Sequence, residues 1–148
     1  MGRIGKKQQD IVAAWILAEG RRARDATSFF DGLNAAIRRS GVPLERAMFS
    51  LLTIHPQVVA SGFEWRADRP TIEILRGINI QSTDQYLLSP IKRIHDGADE
   101  VRARLAGKNA AHDLPIYDEF RRDGYTDYVA FAVPFGSGSV YFDVSSRV

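Results

Sequence analysis

The chain has 148 residues, of which 45% are hydrophobic and 26% charged, and its formal net charge is +2. This length and composition predict one compact unit with a buried core and exclude a wholly disordered chain. The absence of cysteine excludes disulfides and thiol catalysis and is compatible with a reducing cytoplasm. The longest N-terminal apolar stretch, Ile11 to Ala18, is shorter than the roughly 18 residues that a membrane span requires. We therefore expect a cytoplasmic protein without a membrane span.

Two amphipathic helices are predicted at the N-terminus. Apolar residues between Gln8 and Arg24 recur at helical spacing, with a break near Gly20. A second helical stripe runs from Thr27 to Ser40, and Gly41 is placed to stop it. Residues 1–24 carry six basic side chains against two acidic ones. We interpret this charge as a solvated helix face, because no later motif is typical of nucleic-acid binding.

The rest of the chain predicts a meandering antiparallel sheet with short helices, and the α+β class follows from helices packed on such a sheet. Two short strands are expected to face each other across the turn at Asp96–Gly97. The last two strands form a hairpin around the turn Gly136–Gly138. The predicted strands are 47–55, 62–67, 71–76, 90–94, 101–105, 127–134 and 139–145, and the predicted helices are 83–88 and 114–122.

A search for catalytic chemistry in the sequence finds no recognisable constellation. The three histidines have no metal-ligand spacing, and no phosphate-binding glycine loop or nucleophile elbow occurs. We therefore predict no catalytic residue, no metal site and no required cofactor in this chain.

A ligand site is expected between the sheet and the irregular segment 77–113, because pockets form where irregular chain covers a sheet face. The candidate ligand-binding residues are Trp65, Tyr86, Arg102 and Arg104. The aromatic side chains would supply apolar contact, and the arginines would fix an anionic group. The alternative is that the aromatic residues belong to the core and that both arginines make internal salt bridges.

Several short motifs follow one another in a familiar order. They include GVPLERA at 41–47, IHP at 54–56, Trp65 followed by an arginine, YLLSP at 86–90 and GYTDYV at 124–129. Together they cover residues 41–146. In this order they resemble the N-terminal regulatory region of bacterial class III adenylate/guanylate cyclases.

The resemblance implies a GAF-like sheet, with a PAS-like sheet as the alternative. Residues 1–40 would form a helical segment and residues 41–148 the sensory domain. The implied function is cytoplasmic regulation of a cyclase domain in cis, which this chain lacks, in response to a small molecule or a protein contact. We therefore expect a non-enzymatic homodimer that binds no nucleic acid, with a ligand-free dimerisation or protein-interaction module as the alternative function.

Overall fold

The computed structural model describes residues 5–52, 58–135 and 138–147. Its elements form one six-stranded antiparallel sheet in the order β3-β2-β1-β6-β5-β4, with helices on both faces. The helices are α1 (Lys6–Ala18), α2 (Ala26–Arg39), α3 (Asp84–Leu87), α4 (Pro90–His95) and α5 (Pro115–Arg122). The strands are β1 (Leu44–Leu52), β2 (Val58–Arg66), β3 (Arg69–Gly77), β4 (Glu100–Arg104), β5 (Asp127–Phe135) and β6 (Gly138–Ser146).

The predicted α+β class, with an antiparallel sheet and N-terminal helices packed against it, is confirmed. The N-terminal helix ends where its break was expected, and a 3₁₀ turn follows at Gly20–Arg22. Gly41 and Gly124 stop α2 and α5 with φ values of 96° and 84°, a region that favours glycine. The predicted strand end at 53–55 and the turn at 136–137 lie outside the described residues.

One predicted strand, 90–94, is wrong, because Pro90–His95 is the helix α4. Ser89 caps this helix by accepting a hydrogen bond from the backbone N–H of Lys92, and Pro90 occupies its first turn. Serine before proline is a signal for a helix start, and it outweighs the short apolar run that favoured a strand. The strand Glu100–Arg104 forms as expected, but it pairs with β5 instead of facing residues 90–94.

The N-terminal helices cover one face of the sheet. Phe30 on α2 is buried against Phe49, Phe63 and Phe142 from three neighbouring strands. We call this surface of the sheet the helix face. Because successive strand residues point to opposite faces, the alternate residues of the same strands point away from α2.

Helix α1 packs on α2 with the aromatic side chain of Trp15 in the contact. The Trp15 ring packs against Phe29 with the ring centroids 5.6 Å apart, and it also contacts Gly32. A Cβ atom at position 32 would collide with the Trp15 indole, so this close approach requires glycine. None of the described residues of α1 is fully buried.

Apart from the edge strand β4, residues 78–122 form a roof over the opposite face. The roof consists of a 3₁₀ turn at Ile78–Ser82, the helices α3, α4 and α5, and the loops that connect them with β4 and β5. A second core joins this roof to β4 and β5, with Tyr117 and Phe120 of α5 packed on Tyr128. Within the described ranges, no helix is long and apolar enough to cross a membrane.

Candidate ligand-binding site

A cavity of about 170 Å³ lies between the sheet and the roof. Its floor comes from β1, β2, β3, β5 and β6, mostly from side chains that alternate with those of the helix face. Its upper wall comes from the 3₁₀ turn and from α3, α4 and α5. The apolar lining residues are Met48, Leu51, Ala60, Ile80, Pro90, Ile91, Ile116 and Phe120. This combination of an apolar wall with a few polar groups is typical of small-molecule sites.

The floor contains a buried ion pair between Arg46 of β1 and Asp143 of β6. The Arg46 Nη1 donates to Asp143 Oδ1 at 2.5 Å, and both side chains are less than a tenth exposed. The Nε of the same guanidinium donates to Glu64 Oε2 on β2 at 3.0 Å. Phe120 of α5 covers the guanidinium, whose central carbon lies 5.1 Å from the ring centroid. Hydrogen bonds and a cation–π contact thus fix Arg46 from three sides.

Two further ion pairs, both made by Arg66, extend this network from Glu64 to Asp123. Glu64 Oε1 accepts from Arg66 Nε at 3.0 Å, and Arg66 Nη1 donates to Asp123 Oδ2 at 3.3 Å. Without Asp123, whose side chain is 46% exposed, the two arginines and the carboxylates of Glu64 and Asp143 carry no net charge together. A neutralised cluster of this kind offers hydrogen-bond donors and acceptors to a ligand without attracting either sign of charge.

The pKa directions follow from burial and pairing. Burial opposes the charge on Arg46, but the nearby carboxylates of Asp143 and Glu64 outweigh it and raise the Arg46 pKa. Burial likewise works against ionised Glu64, yet Arg46 and Arg66 hold its pKa below the ordinary value. The pKa of Asp143 is raised because burial exceeds the opposing attraction of Arg46. Burial also raises the pKa of Tyr128 beside this pair, so its phenol keeps its proton.

A second polar group lies where α4 meets β6. The Tyr86 hydroxyl and His95 Nδ1 are 2.5 Å apart, and the His95 ring contacts the Tyr141 ring edge-on with centroids separated by 4.3 Å. All three residues line the cavity. Burial lowers the pKa of His95, which favours the neutral imidazole. The wall of the cavity therefore carries two hydrogen-bonded polar pairs, Arg46 with Asp143 and Tyr86 with His95. The other polar residues that line it are Ser50, Arg76, Gln81, Gln85 and Ser89.

The structure brings one of the four predicted ligand residues to the cavity. Tyr86 lines it from α3. Trp65 is buried on the helix face, opposite Ala47 of β1, and belongs to the core under α2. Arg102 and Arg104 lie on the exposed side of the edge strand β4, and Arg102 forms an ion pair with Asp127 at 3.0 Å. Trp65 thus lies in the core and Arg102 forms a salt bridge, as the alternative interpretation of these two residues expects. The ligand-binding role of all four residues stays a prediction.

The sequence prediction did not assign a role to Arg46, His95, Tyr141 or Asp143. Alternation along the last strand does place Tyr141 and Asp143 on one face, opposite Phe142 and Val144. A carboxylate inside such a hydrophobic strand is a signal for a buried polar partner. The identity of that partner was not readable, because Arg46 is separated from Asp143 by 97 positions.

Metal chemistry finds no support in this arrangement. Across the described parts of the chain, no group of three or more histidine, aspartate or glutamate side chains is placed to hold a metal ion. Two pairs of polar groups in the cavity, Arg46 with Asp143 and Tyr86 with His95, are instead bonded to each other.

Comparison with solved structures identifies a similar fold. The chain resembles CepR2 from Burkholderia cenocepacia, an N-acylhomoserine lactone dependent transcription factor of the LuxR family, with a TM-score of 0.59 and 12% sequence identity. The match covers 97% of this chain and 79% of the CepR2 chain. At this identity the likeness shows a shared fold, of the GAF/PAS-like type expected from the sequence. No protein-family model and no curated protein matches the sequence.

Proposed function

We propose that this chain is a sensory domain that binds a small, mainly apolar molecule in the cavity between the sheet and the roof. The observation that carries the proposal is the cavity itself, a space of about 170 Å³ with a largely apolar wall and two hydrogen-bonded polar pairs. In this proposal the chain regulates a partner and catalyses no reaction itself. In the same proposal, binding changes the output by changing how the roof packs on the sheet.

The chemistry of the floor favours an uncharged polar head on the ligand. Arg46 is already paired with Asp143 and Glu64, so an incoming anion would compete with two buried carboxylates. An incoming cation would meet the guanidinium. An amide or ester group fits better, because it can add hydrogen bonds to a neutral pair without a net charge to desolvate.

The cavity volume limits the ligand that fits without rearrangement. An engineered apolar cavity of about 150 Å³ binds benzene, so a space of about 170 Å³ holds a body of similar or slightly larger size. A longer molecule requires the roof to move. The roof is suited to this, because α3 and α4 have only four and six residues, and such short helices depend on packing for their stability.

The fold neighbour suggests a chemical class for testing. CepR2 is N-acylhomoserine lactone dependent, and such a molecule joins an apolar acyl chain to an uncharged amide and lactone. This is the amphipathic, neutral chemistry that the two polar pairs and the apolar wall favour. We therefore take N-acylhomoserine lactones of graded chain length as the first probes.

The test is a thermal-shift series with a variant whose cavity is filled. Ser50 lies on β1 and lines the cavity, so Ser50→Trp places an indole in the space that a ligand would occupy. Glu73→Trp is the matched control. Glu73 of β3 is exposed, points to the helix face as its partner Phe63 does, and does not line the cavity. We expect at least one probe to raise the melting temperature of the unmodified chain and of Glu73→Trp but not that of Ser50→Trp. Equal shifts for all three proteins would place binding elsewhere.

Among the four residues predicted from the sequence, Tyr86 enters this proposal directly, through its position in the cavity wall. The ligand role of Trp65, Arg102 and Arg104 is a separate hypothesis that needs its own test. Arg104→Ala serves for this purpose, because the side chain is exposed on a short edge strand and its removal leaves the core intact. Loss of the thermal shift in Arg104→Ala would support a ligand-binding role for this arginine.

The output of the sensor is proposed from the sequence resemblance alone, as regulation of a class III cyclase domain. The motif residues also have structural roles: Gly41 ends α2, Ser89 and Pro90 start α4, and Gly124 ends α5. Because such residues build the fold, they are compatible with other outputs. Fusing the chain to a class III catalytic domain tests the proposal. A bound probe should then change cyclic AMP production, and unchanged production at saturating probe would argue against a cyclase output.

An interaction module is the second candidate function, and α1 supplies the observation that favours it. Leu17 is 68% exposed, and Ile11 and Ile16 are each more than a third exposed. Apolar side chains along one helix, remote from the cavity, are suited to a dimer interface. We therefore propose a homodimer through the N-terminal helices, which is compatible with ligand binding in each copy.

A further inference from the structure

One end of the cavity carries polar side chains that the fold leaves without partners. Arg76 of β3, Gln81 of the 3₁₀ turn and Gln85 of α3 all line the cavity. Within the described parts of the chain, none of the three side chains forms a hydrogen bond or an ion pair. Arg76 is partly buried, whereas both glutamines are exposed. This end, which we call the rim, is therefore where the cavity meets the solvent.

Arg76 carries the one charge in the described cavity wall that has no counterion. The acidic residue of the same wall, Asp143, is already bonded to Arg46. The residues outside the described ranges include no aspartate or glutamate, so they supply no further carboxylate side chain. The wall thus has one uncompensated positive charge, and this charge lies at the rim.

The register of the sheet explains why the fold leaves Arg76 unpaired. Arg76 is directly opposite Ala60 of β2, and both residues line the cavity, because facing residues of paired strands share a face of the sheet. The alanine side chain has no polar atom to offer. Glu73 of β3 points to the helix face, as its partner Phe63 does. Asp84 of α3 is exposed and does not line the cavity. The acidic residues nearest to Arg76 in the sequence therefore leave its guanidinium free.

We infer that Arg76 binds a carboxylate of the ligand at the rim, while the apolar part of the same molecule occupies the cavity. A guanidinium can hold a carboxylate through two parallel N–H···O bonds, and its charge is permanent in proteins. The carboxamides of Gln81 and Gln85 add N–H donors at the same end.

The inference rests on the proposed function, because it requires that the cavity is occupied. It adds an anionic end to a ligand whose inner part meets the neutral floor. An anion on the floor would compete with the carboxylates that already bind Arg46. At the rim, the described wall holds no competing carboxylate.

The experiment compares the affinities of 3-phenylpropionate and 3-phenylpropionamide, which have nearly the same shape and differ in a carboxylate against an uncharged amide. Their phenyl group suits a cavity that holds a body of about the size of benzene. At neutral pH we expect the unmodified chain to bind the carboxylate roughly five- to tenfold more tightly, the effect of one charge-assisted contact with a partly exposed arginine. Arg76→Gln should bind both probes equally, because glutamine keeps a polar side chain without the charge.

Arg69→Gln is the matched control. Arg69 is a second arginine of β3, is exposed and does not line the cavity, so its replacement removes the same charge and should keep the preference. Since Arg76 forms no described hydrogen bond or ion pair, Arg76→Gln should melt at nearly the temperature of the unmodified chain. Added salt gives a readout that needs no variant, because it should weaken the preference for the carboxylate.

Three results would overturn the inference and leave the proposed cavity binding standing. They are equal affinity of the unmodified chain for the two probes, a preference that Arg76→Gln retains, and failure of 3-phenylpropionate to bind a chain that binds an N-acylhomoserine lactone. If neither probe nor any N-acylhomoserine lactone binds, the proposed function fails and this inference fails with it.

Discussion

Replacement of Arg46 by methionine should destabilise the protein more than replacement of its partner Asp143 by asparagine. Arg46 is 6% exposed and donates to both Asp143 and Glu64. Without it, Asp143 loses its bonded cation in a buried site, whereas Glu64 keeps Arg66. In Asp143→Asn the arginine keeps Glu64, and the amide oxygen still accepts from Nη1. The two substitutions thus leave very different groups unpaired.

The groups that each substitution leaves unpaired determine the expected loss in the free energy of unfolding. Removing one partner of a buried ion pair costs about 3–5 kcal/mol, and because only one carboxylate is orphaned we expect about 3 kcal/mol for Arg46→Met. Asp143→Asn should cost about 1 kcal/mol, the net effect of weakening one hydrogen bond. The double variant Arg46→Met/Asp143→Leu removes both charges and should recover about 1–2 kcal/mol relative to Arg46→Met alone.

Urea unfolding followed by tryptophan fluorescence measures these differences, with Trp15 and Trp65 as reporters on the helix face. For a chain of this length, a loss of about 3 kcal/mol lowers the melting temperature by roughly 6–12 °C. The pair is buried, so the loss should persist at high salt. Equal costs for Arg46→Met and Asp143→Asn, or a loss that salt abolishes, would refute the assignment of a buried ion pair.

The pH dependence supplies a second check on the same variant. Burial raises the folded-state pKa of Asp143 above its ordinary value of 3.8, and without Arg46 nothing opposes burial. A carboxyl whose pKa is raised by folding contributes stability at low pH that is lost as pH rises through the folded value. The deficit of Arg46→Met should therefore grow as the pH rises from about 4 towards neutrality. A constant deficit over this range would contradict the mechanism.

The remaining predictions concern assembly, activity and the helix-face core. In light scattering, Leu17→Glu should shift a dimer of the full chain towards monomer, and a chain that is monomeric at high micromolar concentration would contradict the dimer. The pure chain should form no cyclic AMP from ATP with Mg²⁺ or Mn²⁺, and measurable product would disprove this. Trp65→Ala should cost about 3–5 kcal/mol in urea unfolding, because the indole is buried under α2, while leaving the ligand-induced thermal shift in place. Lowering the pH below about 6 should reduce stability through His95, whose neutral form the fold favours, and His95→Phe should show less of this loss.

Local signals in the sequence were sufficient for most of the architecture. The final hairpin follows from β-forming residues on both sides of a glycine turn, and Gly41 and Gly124 mark helix ends because a left-handed backbone is inexpensive there. The apolar residues of 90–94 favoured a strand, although the segment begins with a signal for a helix start. Ser89 followed by Pro90 carries that signal, and Ile91 and Ile94 are then spaced three apart, as on one face of a helix.

The residues of the site were harder to predict than the fold, because strands that are distant in the sequence bring them together. Its general location, under the irregular segment after β3, follows from where loose chain covers a sheet. Which strand residues line the cavity depends on the face of the sheet to which each side chain points. Trp65 shares its face with Phe63 by simple alternation, so its position in the core was readable. The meeting of Arg46 with Asp143 depends on the pairing of the first strand with the last, which no local pattern specifies.

The central claim is that a small molecule binds between the sheet and the roof, and an amide chemical-shift map tests it most directly. N-hexanoyl-homoserine lactone is titrated into the uniformly ¹⁵N-labelled chain, and if it does not bind, acetophenone replaces it. We expect saturable shifts that concentrate on cavity-lining elements, namely β1 around Met48, the α3–α4 region from Gln85 to His95, and β6 around Tyr141. The amides of α1 should remain unchanged. Saturable shifts confined to α1 and α2, or no shift with either probe, would contradict the claim.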